Sequence, residues 1–204
     1  VLRRAIAADV VIASLLDAVI KEVGFSLDEN AIDIPRLRAN LAGGHRRPGA
    51  APVYYAHRDT WYANPAAQIN WWMAIHDVCR ADSFSFDEAA FVDHVHNDSE
   101  NFDYDSWKEH VGWQNPTPPR EAVYPKSARF GLKGTTPVEC AKGQLLLFSA
   151  SQLHRTTENE SALTRFSIDF RTVHLADYLQ GHGAPDRDNA SKGCTLDDYR
   201  HPGQ

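Results

Sequence analysis

The stretch KGQLLLFSASQLHRTTENESALTRFSIDFR, residues 142–171, contains two strand-like segments joined by a polar turn that carries a histidine. The first segment, GQLLLFSA, is typical of a buried strand, and the second, TRFSIDFR, alternates strictly between apolar and polar residues. Because successive side chains of a strand point to opposite faces, one face carries Phe166, Ile168 and Phe170, and the other carries Arg165, Ser167, Asp169 and Arg171. We predict that this polar face either meets solvent or lines the polar interior of a barrel.

A second segment, QINWWMAI at residues 68–75, shows the same division between polar and apolar faces. Gln68 and Asn70 share one face, and Ile69, Trp71 and Met73 share the other. Two strands with this pattern favour the barrel interior over solvent. Strand-like composition, rich in aromatic and β-branched residues, also occurs at PVYYAHRDTWY (52–62), ARFGLKG (128–134), VEC (138–140) and LHRTTE (153–158).

The remainder of the chain predicts helices and loops around an antiparallel β-fold. Residues 2–23 have the spacing of an amphipathic helix that ends near Gly24, and residues 26–41 are predicted to form a short helical piece broken by Pro35. Residues 82–126 form a long acidic excursion, with one helix around 105–111, which suits a lid. The polar tail from residue 181 is expected to lie on the surface. We predict one domain, with helical support at 1–50, a barrel core at 53–175 and the insertion at 82–126.

Length and composition narrow the class of protein. The chain has 204 residues, enough for a single sizeable core, with a formal net charge of -6, which argues against a nucleic-acid partner. Its three cysteines are widely spaced and odd in number, so a disulfide framework is not expected and a cytoplasmic setting is favoured. No apolar run reaches the roughly 18 residues that a membrane span needs.

The motif H-x-D at His57 and Asp59 is the first candidate for chemistry. On the strand predicted here, a spacing of two residues places both side chains on one face, where they could ligate one metal ion. The pair occurs often by chance and needs a second histidine from another strand. His154 is the candidate, because it lies between the two strand-like segments of residues 142–171.

The order and spacing of His57, Asp59, His154 and Arg165 resemble those of the iron(II)/2-oxoglutarate-dependent dioxygenases, most closely the phytanoyl-CoA dioxygenase-like branch. QINWWMAIHD resembles the strand that follows the metal pair in that branch, and residues 142–171 resemble its closing hairpin. The resemblance covers roughly residues 53–175 without the insertion. It implies a mainly β fold with flanking helices, namely a double-stranded β-helix (a jelly-roll, cupin-like barrel) with N-terminal helices and a long insertion.

The resemblance also implies roles for individual residues. His57, Asp59 and His154 would be the catalytic metal ligands that hold Fe(II), leaving positions for 2-oxoglutarate and O2. Arg165 would bind the distal carboxylate of 2-oxoglutarate, with Arg171 in reserve, and Thr156 would add a hydroxyl donor. Gln68 and Asn70 are further cosubstrate contacts. Related halogenases have a small residue in place of the carboxylate ligand, so Asp59 implies oxygenation, usually hydroxylation of an unactivated C–H with release of succinate and CO2.

Other interpretations stay open at this stage. The same iron chemistry could give desaturation, epimerisation or cyclisation, and a different class of protein, a cupin-type isomerase or binding barrel, would have a related fold. His94 and His96 form another H-x-H pair, for which a solvated loop is the expected setting. Trp107 and Trp113 are candidates for a lid that packs on substrate. The expected partner is a small-molecule metabolite, with secondary metabolism as the expected setting, and neither nucleic acid nor membrane is expected; the sequence does not indicate an oligomeric state.

Overall fold

A computed structural model describes residues 2–112 and 122–201, and its largest element is a five-stranded antiparallel sheet organised around the longest strand. The strands, in chain order, are β1 Asn30–Ile32, β2 Arg36–Asn40, β3 Gln68–Ala74, β4 Phe84–Phe86, β5 Thr136–Pro137, β6 Leu145–Ser149, β7 His154–Thr156 and β8 Arg165–His174. The larger sheet has the order β1-β8-β3-β6, with β2 also paired to β8. The smaller sheet has the order β5-β4-β7.

The two faces of β8 have the alternation that the sequence predicts. Ile168 and Phe170 lie on the outer face, whereas the buried Arg165 and Ser167 lie on the inner face, between the two sheets. Strand β3 pairs antiparallel with β8, placing Asn70 opposite Arg171. The polar face of β8 therefore lines an interior and does not meet bulk solvent.

The outer face of the larger sheet is covered by the second of two N-terminal helices, α1 Leu2–Ala8 and α2 Val10–Glu22. Leu16 and Ile20 of α2 pack on Trp71 and Phe170, whose rings are stacked with centroids 5.2 Å apart. The single helix predicted over residues 2–23 is interrupted at Asp9. Its carboxylate accepts hydrogen bonds from the amides of Val11 and Ile12 and so caps α2.

The helical piece predicted within residues 26–41 is wrong, because this segment forms β1 and β2. Strand β2 lies along β8 in register from Arg36 opposite Asp169 to Asn40 opposite Arg165. The open edge of β8 satisfies the backbone hydrogen bonds of both short strands, an option that local sequence spacing does not reveal. Pro35 lies between β1 and β2, where no ladder hydrogen bond is required of it.

A second core fills the space between the two sheets. Trp72 and Phe148 of the larger sheet contact Phe84 of the smaller one. The Trp72 and Phe84 rings pack edge to face, with centroids 5.2 Å apart. The two sheets face each other in the manner of a jelly roll, and over the described ranges they do not join into one closed barrel.

Two of the predicted strands are wrong. Residues 51–62 form 3-10 helices at Ala51–Tyr54 and Asp59–Tyr62, with only isolated bridges at Ala56 and His57 between them. Residues 128–134 carry no strand, because Gly131 has a φ of 70° and begins a turn closed by the Gly134 amide and the Gly131 carbonyl. The segment VEC contributes only a bridge at Cys140, next to β5.

The acidic excursion is packed against the rest of the fold over most of its described length. It begins with β4, a full member of the smaller sheet, and includes the predicted helix as α3 Tyr104–His110, capped by the Asp103 carboxylate. Trp107 is buried in a cluster with Trp61, Tyr62 and Phe102. Trp113, the other tryptophan predicted to pack on substrate, lies outside the described residues.

After β8 the chain forms α4 Leu175–Leu179, and the tail from residue 181 then runs back over the fold. The prediction that this tail lies on the surface is wrong for Asp188, Leu196 and Tyr199, which are all buried. Across residues 2–112 and 122–201, no helix combines the length and hydrophobicity that crossing a bilayer requires.

Trp71 should contribute more to stability than any exposed apolar residue. It is fully buried, contacts Phe25 and Phe170, and donates a hydrogen bond of 2.9 Å to the Thr172 hydroxyl. We expect Trp71→Ala to lower the free energy of unfolding by about 3–5 kcal/mol, measured by urea denaturation. Leu179→Ala, at a side chain that is 81% exposed, should change it by less than about 0.5 kcal/mol, and equal effects of the two variants would contradict this packing.

Candidate metal centre

His57 and His154 face each other across an antiparallel bridge between two segments that are 97 residues apart in the sequence. Each backbone amide donates to the carbonyl of the other residue at 3.0 Å. The two imidazole rings lie side by side, with centroids 4.4 Å apart. The backbone pairing therefore sets the distance between the two histidines.

Asp59 reaches the same point by a different route from the one predicted. It is the first residue of the 3-10 helix Asp59–Tyr62 and does not lie on a strand with His57. The amides of Asp59 and Thr60 both donate to the Ala150 carbonyl, at 2.8 and 3.3 Å, and the Asn64 side chain donates to the Asp59 carbonyl at 2.7 Å. These bonds hold the turn that directs the carboxylate towards the imidazoles.

The three side chains converge. Asp59 Oδ1 lies 3.5 Å from His57 Nε2 and 3.9 Å from His154 Nε2, and the three ligand atoms all lie within 4.8 Å of one another. In each histidine Nδ1 lies 2.9 Å from a backbone carbonyl, that of Tyr55 for His57 and that of Gln152 for His154. A carbonyl only accepts hydrogen bonds, so each Nδ1 carries a hydrogen and the Nε2 atoms are the ones directed at the carboxylate.

The charge states also suit a metal. Burial raises the pKa of Asp59, but the neighbouring His57, His154 and Arg171 outweigh it and hold that pKa well below its usual value. Burial and the neighbouring His57 lower the pKa of His154 to about 4. At neutral pH an ionised carboxylate thus faces the lone pair of a neutral imidazole. A cation between them would pair with the charge of the carboxylate and bind the lone pair of the imidazole.

This donor set fits iron(II). Two imidazole nitrogens and one carboxylate oxygen are the facial triad of non-haem iron sites, and the carbonyl contacts at Nδ1 are the usual support of metal-bound histidines. No other group of three potential ligand side chains comes this close together in the described part of the chain. His94 and His96 are exposed on a loop and form no such group.

Aromatic side chains surround the triad. The rings of Tyr62 and His57 pack edge to face with centroids 5.3 Å apart, and the rings of Phe148 and His154 do so with centroids 5.5 Å apart. The Tyr62 hydroxyl donates to the Pro125 carbonyl, and burial raises the pKa of this tyrosine, an effect that the Asp59 charge reinforces. The site is thereby walled by apolar surface, although the three triad side chains retain 12–19% exposure.

Arg165, at the start of β8, is a buried cation whose charge has no ion-pair partner among the described residues, since no carboxylate oxygen there lies within 4.0 Å of its guanidinium. It donates to the Asp82 carbonyl at 3.1 Å and the Ser167 hydroxyl at 2.8 Å, and it lies 5.4 Å from the centre of the Trp72 ring. Burial lowers its pKa to about 10, so it stays charged at neutral pH. A buried charge of this kind is costly unless an anion joins it.

Arg171, the reserve candidate, differs from Arg165 in this respect. Its guanidinium forms an ion pair of 2.9 Å with Asp33, which also pairs with Arg36. The Arg171 charge is thus already compensated within the protein. Of the two arginines, Arg165 is the one free to receive an anionic ligand.

The other predicted cosubstrate residues occupy different environments. Thr156 lies two residues after His154 on β7, on the same face, opposite Phe84. Gln68 is engaged by protein, since its side chain donates to Asn70 Oδ1 at 2.8 Å and accepts from the Tyr199 hydroxyl at 2.6 Å. Asn70 Nδ2 is buried without a hydrogen-bond partner among the described residues, so Asn70 retains its donors for a ligand, whereas Gln68 Nε2 already donates to Asn70.

Two residues of this region were missed by sequence reasoning. Arg58, between the two predicted ligands of the H-R-D motif, is buried, and it lies beside the equally buried Asp188 from the tail. A buried arginine next to a metal ligand could have been suspected from the motif itself. Its partner, 130 residues away, has no local signal in the sequence.

The fold and the triad together define a jelly-roll protein with a candidate non-haem metal site, and comparison with solved structures agrees with this fold. EvdO2 from Micromonospora carbonacea var. aurantiaca matches with a TM-score of 0.55 at 9% identity, over 80% of this chain and 63% of that one. The complex of EvdO2 with 2-oxoglutarate matches with a TM-score of 0.51 at 8% identity, over 82% of this chain and 61% of that one. EctD from S. alaskensis, solved with 2-oxoglutarate and 5-hydroxyectoine, matches at 0.50 and 13% identity, over 93% and 66%.

These likenesses confirm the predicted jelly-roll fold. The chain spans somewhat less than two thirds of the length of these structures, and 52% of the non-heme monooxygenase ThoJ, a match at TM-score 0.47 and 12% identity over 79% of this chain. No protein-family model matches the chain, and no curated protein matches it.

Proposed function

We propose that this protein is an iron(II)- and 2-oxoglutarate-dependent oxygenase that hydroxylates a small-molecule metabolite. The convergence of His57, Asp59 and His154 on one point carries the proposal. The unpaired charge of Arg165 supports it, because the distal carboxylate of 2-oxoglutarate is the kind of anion that a buried guanidinium binds. The fold agrees, since EvdO2 and EctD were both solved with 2-oxoglutarate.

Each residue has a defined task in this proposal. The two Nε2 atoms and the Asp59 carboxylate would hold the iron as three of its ligands. Arg165 receives the distal carboxylate of 2-oxoglutarate, with the Thr156 hydroxyl and the free Asn70 amide as further donors. When bound, iron and 2-oxoglutarate supply the oxidising power by reaction with O2, which yields succinate and CO2.

The surrounding residues control the environment of the reaction. Phe84, Phe148 and Tyr62 present apolar surface to the triad, which keeps water away from the reacting groups. We also propose that the described part of the acidic excursion, residues 82–112 and 122–126, borders the substrate side of the site, because Tyr62 packs against Phe102 of this excursion. Closure of part of this segment as a lid stays a prediction.

The first test is cosubstrate binding and turnover by the wild-type protein. Adding Fe(II) and then 2-oxoglutarate under anaerobic conditions is expected to produce a weak visible charge-transfer absorption band, because both must be bound together for it to appear. Admission of O2 should bleach the band and release succinate. Samples lacking iron, or with succinate in place of 2-oxoglutarate, are the controls. Failure of the protein to bind iron or 2-oxoglutarate would refute the proposed function.

A further inference from the structure

Arg58 lies between two candidate metal ligands, yet its side chain points away from them into the protein. It is 1% exposed, and its Nε lies 3.2 Å from Asp188 Oδ2, an ion pair without the alignment of a hydrogen bond. Its terminal nitrogens donate to four backbone carbonyls, those of Ala90, Phe91, Asp93 and Ser151. One side chain thus joins the metal-ligand segment to the acidic excursion and to the loop before His154.

Asp188 is the only carboxylate within ion-pair distance of Arg58 in the described ranges, and it is fully engaged. Its Oδ1 accepts from the Trp61 indole at 2.8 Å, and its Oδ2, the oxygen that faces Arg58, also accepts from the Val95 amide at 2.9 Å. Its backbone carbonyl accepts from the Asn97 side chain at 2.7 Å. The tail therefore meets the segment that carries Asp59 and the acidic excursion at one buried point.

The tail continues along the same segment after Asp188. The Ser191 hydroxyl accepts from the Ala63 amide at 3.1 Å, and its single hydrogen is shared between Asn189 Oδ1 at 2.7 Å and the Thr60 carbonyl at 3.2 Å. The Thr195 hydroxyl donates to Asn64 Oδ1 at 2.9 Å, and the Asn64 amide in turn donates to the Asp59 carbonyl. A continuous set of contacts from residues 188–195 thus holds residues 58–64, including the turn that directs the Asp59 carboxylate.

We propose that Arg58 and Asp188 are positioning residues for the metal centre, and that residues 188–195 are part of its support. Neither side chain contacts the metal-ligand atoms, so they act through the backbone of residues 57–60. Removing one partner leaves the other charge buried and uncompensated, which favours rearrangement of this turn. The inference rests on the proposed metal site and deepens it. It makes metal affinity depend on a tail segment that lies about 130 residues beyond His57 and Asp59 in the sequence and supports their backbone.

A general loss of stability has to be separated from a specific loss of ligand geometry. Ile20→Ala is the matched control, because Ile20 lies on α2 and is fully buried against the outer face of the larger sheet, the face that points away from the metal centre. It destabilises the fold without touching residues 57–64. Ile20→Ala and the test variant Asp188→Asn are to be measured well below their unfolding temperatures. Co(II) is the probe, because its visible spectrum reports the number and geometry of its ligands.

Asp188→Asn is expected to weaken Co(II) binding about 10- to 100-fold and to alter the ligand-field bands, as is typical when the support of a metal ligand is lost. Ile20→Ala should retain wild-type affinity and spectrum. Ser191→Ala, a milder change at the same segment, should give a smaller loss of affinity in the same direction, and it decides the matter if Asp188→Asn does not fold.

Two negative results have different meanings. Wild-type Co(II) affinity and spectrum in folded Asp188→Asn, or in Ser191→Ala if the former does not fold, would overturn the positioning role and leave the metal site intact. Equal losses in Ile20→Ala and the tail variants would also overturn it, because the effect would then follow stability alone. Failure of the wild-type protein to bind Co(II) would instead overturn the proposed metal centre.

Discussion

Replacing Asp59 with alanine is expected to abolish 2-oxoglutarate-dependent succinate formation. The carboxylate is the one anionic group among the three converging ligands, and it would compensate part of the charge of iron(II) in a site walled by aromatic rings. We expect iron binding to weaken at least about 100-fold, more than the 10- to 100-fold typical of residues that only support a ligand. Metal titration and succinate release measure the two effects independently.

The comparison variants for Asp59 separate charge from size. Asp59→Asn keeps the shape and one oxygen, and it should bind iron more weakly than wild type but more tightly than Asp59→Ala. Asp28→Ala removes an exposed carboxylate next to Leu27, which packs in the α2 cluster on the outer face of the sheet, and it should leave iron affinity unchanged. Wild-type succinate formation by Asp59→Ala would remove Asp59 from the metal site.

Replacing Arg165 with methionine is expected to raise the KM for 2-oxoglutarate strongly while leaving iron affinity near the wild-type value. A buried charge-assisted contact contributes about 2–4 kcal/mol when one partner is truncated, which corresponds to roughly 30- to 700-fold in affinity. Because no carboxylate among the described residues compensates Arg165, the ligand-free variant should lose little stability. Binding of 2-oxoglutarate to the iron-loaded protein, followed by the charge-transfer band, and urea denaturation test the two expectations.

Two further arginine substitutions serve as controls. Arg165→Lys keeps the charge but loses the planar fork, so an intermediate KM is expected. Arg200→Met removes a partly exposed ion pair with Asp17 and should leave the KM unchanged. An unchanged KM in Arg165→Met, with binding lost in Arg171→Met, would reassign the carboxylate site to Arg171.

Local patterns in the sequence were sufficient for the strands that carry the site. The alternation in residues 165–171 predicted both faces of β8, and the alternation in residues 68–73 predicted that Trp71 and Trp72 face opposite ways. The period of a strand is a local property, so it survives in the sequence whatever the partner strand is. The helix at 105–111 was predictable for the same reason, since its spacing and its cap lie within one short segment.

Local patterns failed where the backbone conformation depends on a distant partner. Residues 30–40 became strands because the edge of β8 was open to them, and residues 59–62 became a 3-10 helix because two of their amides bind the Ala150 carbonyl. Neither partner lies within 80 residues of the segment that it shapes. The H-x-D spacing predicted two side chains directed at one point, and His57 and Asp59 do converge, although through a turn and not through a shared strand face.

By itself, the sequence determined an antiparallel β-fold through residue type and alternation, and its resemblance to the iron(II)/2-oxoglutarate-dependent dioxygenases implied the jelly roll and the candidate ligands that converge. Only the tertiary structure decided which charges are free. Arg165 and Arg171 lie on the same face of one strand, and they differ because Asp33 reaches Arg171 alone. Likewise, Arg58 finds its buried partner in the tail. Electrostatic compensation depends on distances of a few ångströms between groups far apart in the chain, and those distances are set by packing and not by sequence spacing.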